Sequence, residues 1–327
     1  MADTETRPAG APAPGLRPKV RRTLLRSYSI VILVVAATAI IALIEPAFLT
    51  TRNFRNLLDQ NAGIGIITCG MTFVIIAGGF DLSVAAIFAV SGIVAALVAN
   101  QAGPVVGLLA GVAAGPILGA ANGVLIARLR LNSFLTTLAS SIVIRGIGVA
   151  LSGGFLIAVT DALFPVLGRG NLAGITYGGM IFIAFAIASA LVLHRTQFGR
   201  YVFAVGGNEE AARLSGIRTG LIKGATFVIS GFAAGLAGII ATSKVATGIP
   251  NSGSGLELSA IAAVVLGGTA ISGGSGAIWR SILGVFLLAI INNAFNIMNL
   301  EPYLRDIVTG SIIVLAVIAN SMSGRKQ

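Results

Sequence analysis

Apolar runs long enough to cross the roughly 30 Å hydrocarbon core of a bilayer recur at short intervals along this chain, and nothing else constrains its fold as strongly. Each run that enters lipid must satisfy its own backbone, which makes it a helix. The runs fall at 28–44, 61–77, 82–98, 104–127, 134–151, 177–193, 222–243, 256–271, 281–298 and 307–319. With 56% hydrophobic and only 10% charged residues in 327, and a mean hydropathy of +0.95, there is too little polar surface for a soluble globule. The expected fold class is therefore an all-α integral membrane protein of about ten spans. Residues 27–324 form the membrane domain, and the span at 256–271 is the least regular because of its glycines.

The net charge of +11 does not indicate a nucleic-acid partner. The basic residues are scattered through short loops and aromatic content is 6%, so no binding stripe forms. Membrane orientation accounts for the charge better. With the amino terminus inside, Arg52, Arg55, Arg169, Lys244 and Arg305 fall outside and Arg145 falls within a span, while the other lysines and arginines lie inside. An even number of spans then places both termini in the cytoplasm. Residues 1–26, rich in Pro, Ala and Arg, read as a disordered basic cytosolic tail, and the bulky end of the first run reads as an uncleaved anchor.

The largest polar interruption is 194–223, HRTQFGRYVFAVGGNEEAARLSGIRTGLIK, which this orientation places in the cytoplasm. Asn208 can cap a short helix, Glu209 and Glu210 suit its first turn, and Gly216 can supply the left-handed residue that ends it. A helix of about two turns does not stand alone in water and needs something to dock against.

Two features suggest an inverted internal repeat. Asp81, Leu82 and Ser83 open the third run and Glu257, Leu258 and Ser259 open the eighth. An offset of five spans sets the copies in opposite directions, the arrangement from which many transporters build alternating access. Glycine patterning agrees. Gly107, Gly111, Gly115, Gly119 and Gly123 clear one helix face for a close neighbour. Gly267, Gly268, Gly273, Gly274 and Gly276 indicate a broken segment buried in protein or lining a cavity.

Among intramembrane polar residues, Asp81, Ser83, Glu257 and Ser259 read either as helix starts or as gate elements. Asn292 and Asn296, four apart, can present amides to a hydroxyl-rich solute or to another helix, and Gln60 and Asn61 at the mouth of the second run offer the same chemistry. His194 is the single histidine and Cys69 the single cysteine, so neither a metal site nor an intrachain disulfide is expected. No G-x-x-x-x-G-K-[ST] loop, nucleophile-base pair or metal-ligand cluster appears, so enzymatic chemistry is not expected.

The segments GMTFVIIAGGFDLSV (70–84), FLTTLASSIVIRG (134–146), GRYVFAVGGNEEAARLSGI (199–217) and LELSAIAAVVLGGTAISGGSGAI (256–278) resemble the permease subunits of ribose-type sugar ABC importers, in the expected order over 53–325. Phe80 and Ala85 depart from the pattern, where isoleucine and glycine are usual. The resemblance implies two cytoplasmic ATP-binding cassette subunits carrying the ATP and magnesium, a second permease copy or homologue, an external sugar-binding protein, and an inner-membrane location. It also implies that this chain binds no cofactor itself. The coupling segment is then 195–223, with its helix at 208–216. In it Ala211 and Ala212 would approach the ATPase, Leu214 would anchor, and Glu209, Glu210 and Arg213 would fix register. The solute expected is a monosaccharide or related polyol; nucleoside permeases and ion-gradient-driven secondary transporters are the alternatives.

Overall fold

A computed structural model of the chain describes residues 29–301, 303–305, 307–312, 314 and 318. The expected cytosolic tail at 1–26 and part of the tenth run lie outside them. In order the helices are α1 (Ser29–Ile44), α2 (Thr51–Ile76), α3 (Val84–Ala102), α4 (Pro104–Leu129), α5 (Ser133–Ser152), the short α6 (Val166–Arg169), α7 (Tyr177–Arg195), α8 (Gln197–Gly207), α9 (Glu209–Leu214), α10 (Thr219–Val245), α11 (Leu256–Leu266) and α12 (Ile278–Ile297). Among the described residues, seven helices are long and apolar enough to cross a membrane: α2, α3, α4, α5, α7, α10 and α12. The apolar helices α1 and α11 are shorter, and helix resumes beyond residue 303, so each of the ten expected runs meets helix. Two boundaries differ from expectation. Helix α2 begins at Thr51, where the Thr50 hydroxyl accepts from the Asn53 N–H, because capping outweighs the polar composition of its first turns. Helix α11 stops at Leu266, five residues before the end of its run, where the glycines take over.

The core is set by α4 against α10. Gly107, Gly111, Gly115, Gly119 and Gly123 are all buried, as the spacing predicts. A side chain at Gly115 would come within 3.0 Å of the Gly235 backbone, and one at Gly123 would come 2.7 Å from the Gly224 carbonyl oxygen. With no hydrophobic force between helices inside lipid, packing of this closeness is what holds them. Helix α2, buried along most of its length, runs through the centre with Phe73, Ile66, Ile67, Ile75 and Ile76 in the main apolar cluster. By contrast α4 and α5 turn Val105, Leu109, Ile117, Leu135, Ile142 and Val143 outward, an apolar surface suited to lipid.

Two-stranded pairs close one end: β1 (Ile157–Ala158) with β4 (Thr247–Gly248), and β2 (Asn171–Leu172) with β3 (Ile175–Thr176). The first pair ties the loop after α5 to the loop after α10.

The inverted repeat is visible in the packing. Gly63 faces Ala237 and Gly70 faces Ala233 and Ser230, so α2 and α10 are antiparallel. Helix α4 packs against α3 and α10, while α12 packs against α11 and α2. Thr72 bonds Ser281 and Asn53 bonds Asn293, which sets α12 antiparallel to α2, just as α4 is antiparallel to α10. Exchanging α2 with α10, α3 with α11 and α4 with α12 therefore maps contacts onto contacts while reversing each helix. The reciprocal Asn53–Asn293 amide pair, 2.9 and 3.0 Å, sets register more than it adds stability, since interhelical bonds in membranes average about 0.6 kcal/mol.

Candidate functional site

Towards the end of the bundle closed by the strand pairs, the first half of α2, the last turns of α10, the middle of α12 and the start of α11 enclose a cavity of about 450 Å³. Gln60, Asn61, Asn292 and Ser259 all line it, beside Phe88, Leu258 and Leu288. Residues far apart in sequence thus bring their amides and a hydroxyl to one concave, largely apolar space, the usual build of a small-solute site. At its edge Lys244 pairs with Asp59 at 2.6 Å, and the Lys244 carbonyl accepts from Arg169 Nε at 2.6 Å. Nothing in the sequence pairs positions 59 and 244; only antiparallel α2 and α10 bring them together.

Not every expected residue joins this cavity. Asn296 lies a turn further along α12, exposed and off the lining, because the helix passes beyond the cavity before reaching it. Glu257 is half-buried in the first turn of α11, and the Ser259 hydroxyl donates to the Gly255 carbonyl at 3.0 Å.

Asp81 and Ser83 lie instead near the opposite end of the bundle, both fully buried, in the irregular connection between α2 and α3. The carboxylate does not cap α3. It accepts from the N–H and hydroxyl of Ser83, the Ser83 hydroxyl accepts from Asn122 of α4 at 2.8 Å, and the Ser230 hydroxyl of α10 lies beside the carboxylate. Thr137 and Ser133 of α5 accept from the backbone of Leu82 and Phe80. Three helices, α4, α5 and α10, therefore hold one broken connection, the condition under which such backbone is tolerated at membrane depth.

The polar island forms two helices. Helix α8 buries Val202 and Val205 and sets Phe198 against Phe73 of α2, ring centres 6.3 Å apart. Asn208 caps α9 by accepting from the Ala211 N–H at 2.9 Å, and Gly216, at φ +83°, ends it while the Ile217 N–H returns to the Ala212 carbonyl at 3.0 Å. Ala212 differs from expectation. It is buried against its own chain, because the face of so short a helix that docks must be its apolar one, so the outward face is Glu210, Ala211, Arg213 and Leu214. Leu214 is 80% exposed. Glu209 pairs with Lys223 of α10, and Glu210 receives Arg213 at 2.7 and 2.8 Å. The hydrogen bond that Arg213 donates to Glu210 raises the Arg213 pKa. A groove of about 460 Å³ separates α9 from the end of α4, with Arg130, Glu209, Glu210, Arg213 and Lys223 on its walls.

The chain is 40% identical to the ribose import permease protein RbsC of Bacillus subtilis over 85% of its own length and 88% of the relative's. It is 40% identical to the L-arabinose transport system permease protein AraH of Escherichia coli over 85% of each chain. It is 36% identical to the Escherichia coli ribose import permease protein RbsC over 94% of its length and 97% of the relative's. No solved structure matches it. Residues 53–317 match the family described as branched-chain amino acid transport system / permease component, and the chain belongs to that family.

Proposed function

We propose that this protein is the membrane subunit of an ATP-driven importer that passes a pentose or similar small polyol inward through the cavity between α2, α10, α11 and α12. The observation that carries the reading is the convergence of Gln60, Asn61, Asn292 and Ser259 on one apolar-walled space of sugar size. Relatives aligned over most of the chain, named for ribose and L-arabinose, support the solute class over the amino acids of the family description.

In this reading α9 lies in the cytoplasm, where the distribution of basic residues puts it, and meets one of two ATP-binding cassette subunits that hold the ATP and magnesium. A second copy of the chain or a homologue completes the pore, and an external binding protein delivers the sugar to the cavity end. Both termini are cytoplasmic, and the complex sits in the inner membrane. Closure of the ATPase pair moves α8 and α9, and the two inverted halves rock between outward-open and inward-open states.

The test is uptake by proteoliposomes holding the permease, its ATPases and its binding protein. Labelled ribose or arabinose should accumulate only with ATP inside the face that binds the ATPases and with binding protein on the other. Accumulation driven by an ion gradient without ATP would identify a secondary transporter, and accumulation of leucine or a nucleoside in place of a pentose would reassign the solute.

A further inference from the structure

Between the coupling segment and the cavity lies a joint made of backbone alone. The Gly274 N–H donates to the Ile76 carbonyl at the end of α2, 2.9 Å. Gly206, in the last turn of α8, presses into the same point: a methyl there would fall on the Ile76 carbonyl oxygen and 2.7 Å from the Gly274 nitrogen. A side-chain carbon at Gly273 would lie 2.8 Å from the Gly206 carbonyl oxygen and 3.0 Å from the Gly78 Cα. Three separate parts of the chain thus touch main chain to main chain, with no side chain to deform between them.

The loop that reaches this joint is stiffened by its own bonds. The Ala270 N–H donates to Ser275 and the Gly273 N–H to Ala270, both at 3.0 Å, and Gly268 and Thr269 return to Val265 and Val264 of α11. Helix α11 is only 11 residues long, and its far end carries Leu258 and Ser259 into the cavity. Displacement at Gly206 therefore acts on one end of a short rod whose other end is a cavity wall.

We infer that Gly206 is a positioning residue for transport, the contact through which movement of α8 and α9 shifts α11 and so reshapes the solute cavity. The inference rests on the coupling reading above. Gly206 has to be glycine because any side chain would lever α8 off Ile76 and Gly274. Its neighbour Gly207 has no such need, since a methyl there meets nothing nearer than 4.0 Å.

The experiment compares Gly206→Ala with Gly207→Ala in the complete reconstituted complex. Gly206→Ala should lower ATP-driven uptake by about tenfold or more, a size consistent with ångström-scale misplacement, while the ATPases still copurify and hydrolyse ATP. Gly207→Ala should transport as the unmodified chain does. A second readout follows α11 directly: thiol labelling of Leu258→Cys should change when a non-hydrolysable ATP analogue is added, and Gly206→Ala should remove that change. Uptake by Gly206→Ala equal to that of Gly207→Ala would overturn the inference, as would loss of the ATPases from the Gly206→Ala complex. If Gly206→Ala does not accumulate in the membrane, Leu258→Cys in the otherwise unmodified chain decides, and labelling indifferent to nucleotide overturns it. Failure of the coupling reading shows separately, as normal uptake by the Glu209→Lys/Glu210→Lys chain.

Discussion

At Asp81, a fully buried carboxylate is bonded to its near neighbour Ser83 and through it to a helix that the sequence does not place beside it. Its Oδ1 accepts from both the N–H and the hydroxyl of Ser83, and Ser83 in turn accepts from Asn122, 39 residues on. Replacing Asp81 with Ala strands the two Ser83 donors in a dry interior, and each stranded donor costs about 1–3 kcal/mol. We expect Asp81→Ala to lower the thermal unfolding midpoint of the detergent-solubilised protein by several degrees, with Asp81→Asn losing less because its amide oxygen still accepts. At the cavity, Asn292→Leu removes a polar group without creating a void. If that amide contacts solute, uptake should fall about five- to tenfold, the worth of one hydrogen bond of about 1–1.5 kcal/mol, with expression and melting unchanged. Asn296→Leu, off the lining, should leave uptake as it is. The sequence showed both asparagines as equals; only the depth of the cavity along α12 separates them. In the same way Gln60 and Asn61 were visible as polar residues at a span mouth, whereas the Asp59–Lys244 pair beside them was not, since its members are 185 positions apart.

Among elements, α9 shows how little a sequence must say for a helix to be found. Its cap, its acidic first turn and its terminating glycine all stand within nine residues, so 208–216 was legible from local chemistry. Which face docks was not, because a six-residue helix has no periodicity to read, and Ala212 turned out to be the buried residue. Removing the cap with Asn208→Ala should cost about 1 kcal/mol locally, enough to fray a helix this short. Uptake should drop while membrane insertion is unchanged, and backbone hydrogen exchange across 209–214 should rise. The glycine face of α4 was also legible, from its unbroken spacing, but its partner was not. Helix α10 supplies Gly224, Gly231 and Gly235 at uneven intervals, and only the packed pair explains them. A bulky residue at Gly119 must push α10 away, since a side chain there would come 3.1 Å from the Gly231 Cα. Overpacking of this kind costs about 1–3 kcal/mol, so Gly119→Val should melt several degrees lower than the unmodified protein.

At the scale of the whole molecule, two antiparallel copies of a helical unit leave a solute-sized cavity at one end and a small charged helix at the other, joined by α2, α10 and the short rod α11. A three-residue likeness between 81–83 and 257–259 pointed to the duplication, and the exchange of α2 with α10, α3 with α11 and α4 with α12 shows it in packing. The two copies have diverged in detail, with Asp81 in a buried connection and Glu257 in the first turn of a helix. The account depends on α9 lying on the side of the membrane where ATP is hydrolysed. That is tested most directly by labelling intact cells carrying Leu214→Cys with a membrane-impermeant thiol reagent, since the native Cys69 is buried. The account predicts no labelling until the inner face is opened and full labelling afterwards; labelling of Leu214→Cys in sealed cells would contradict it.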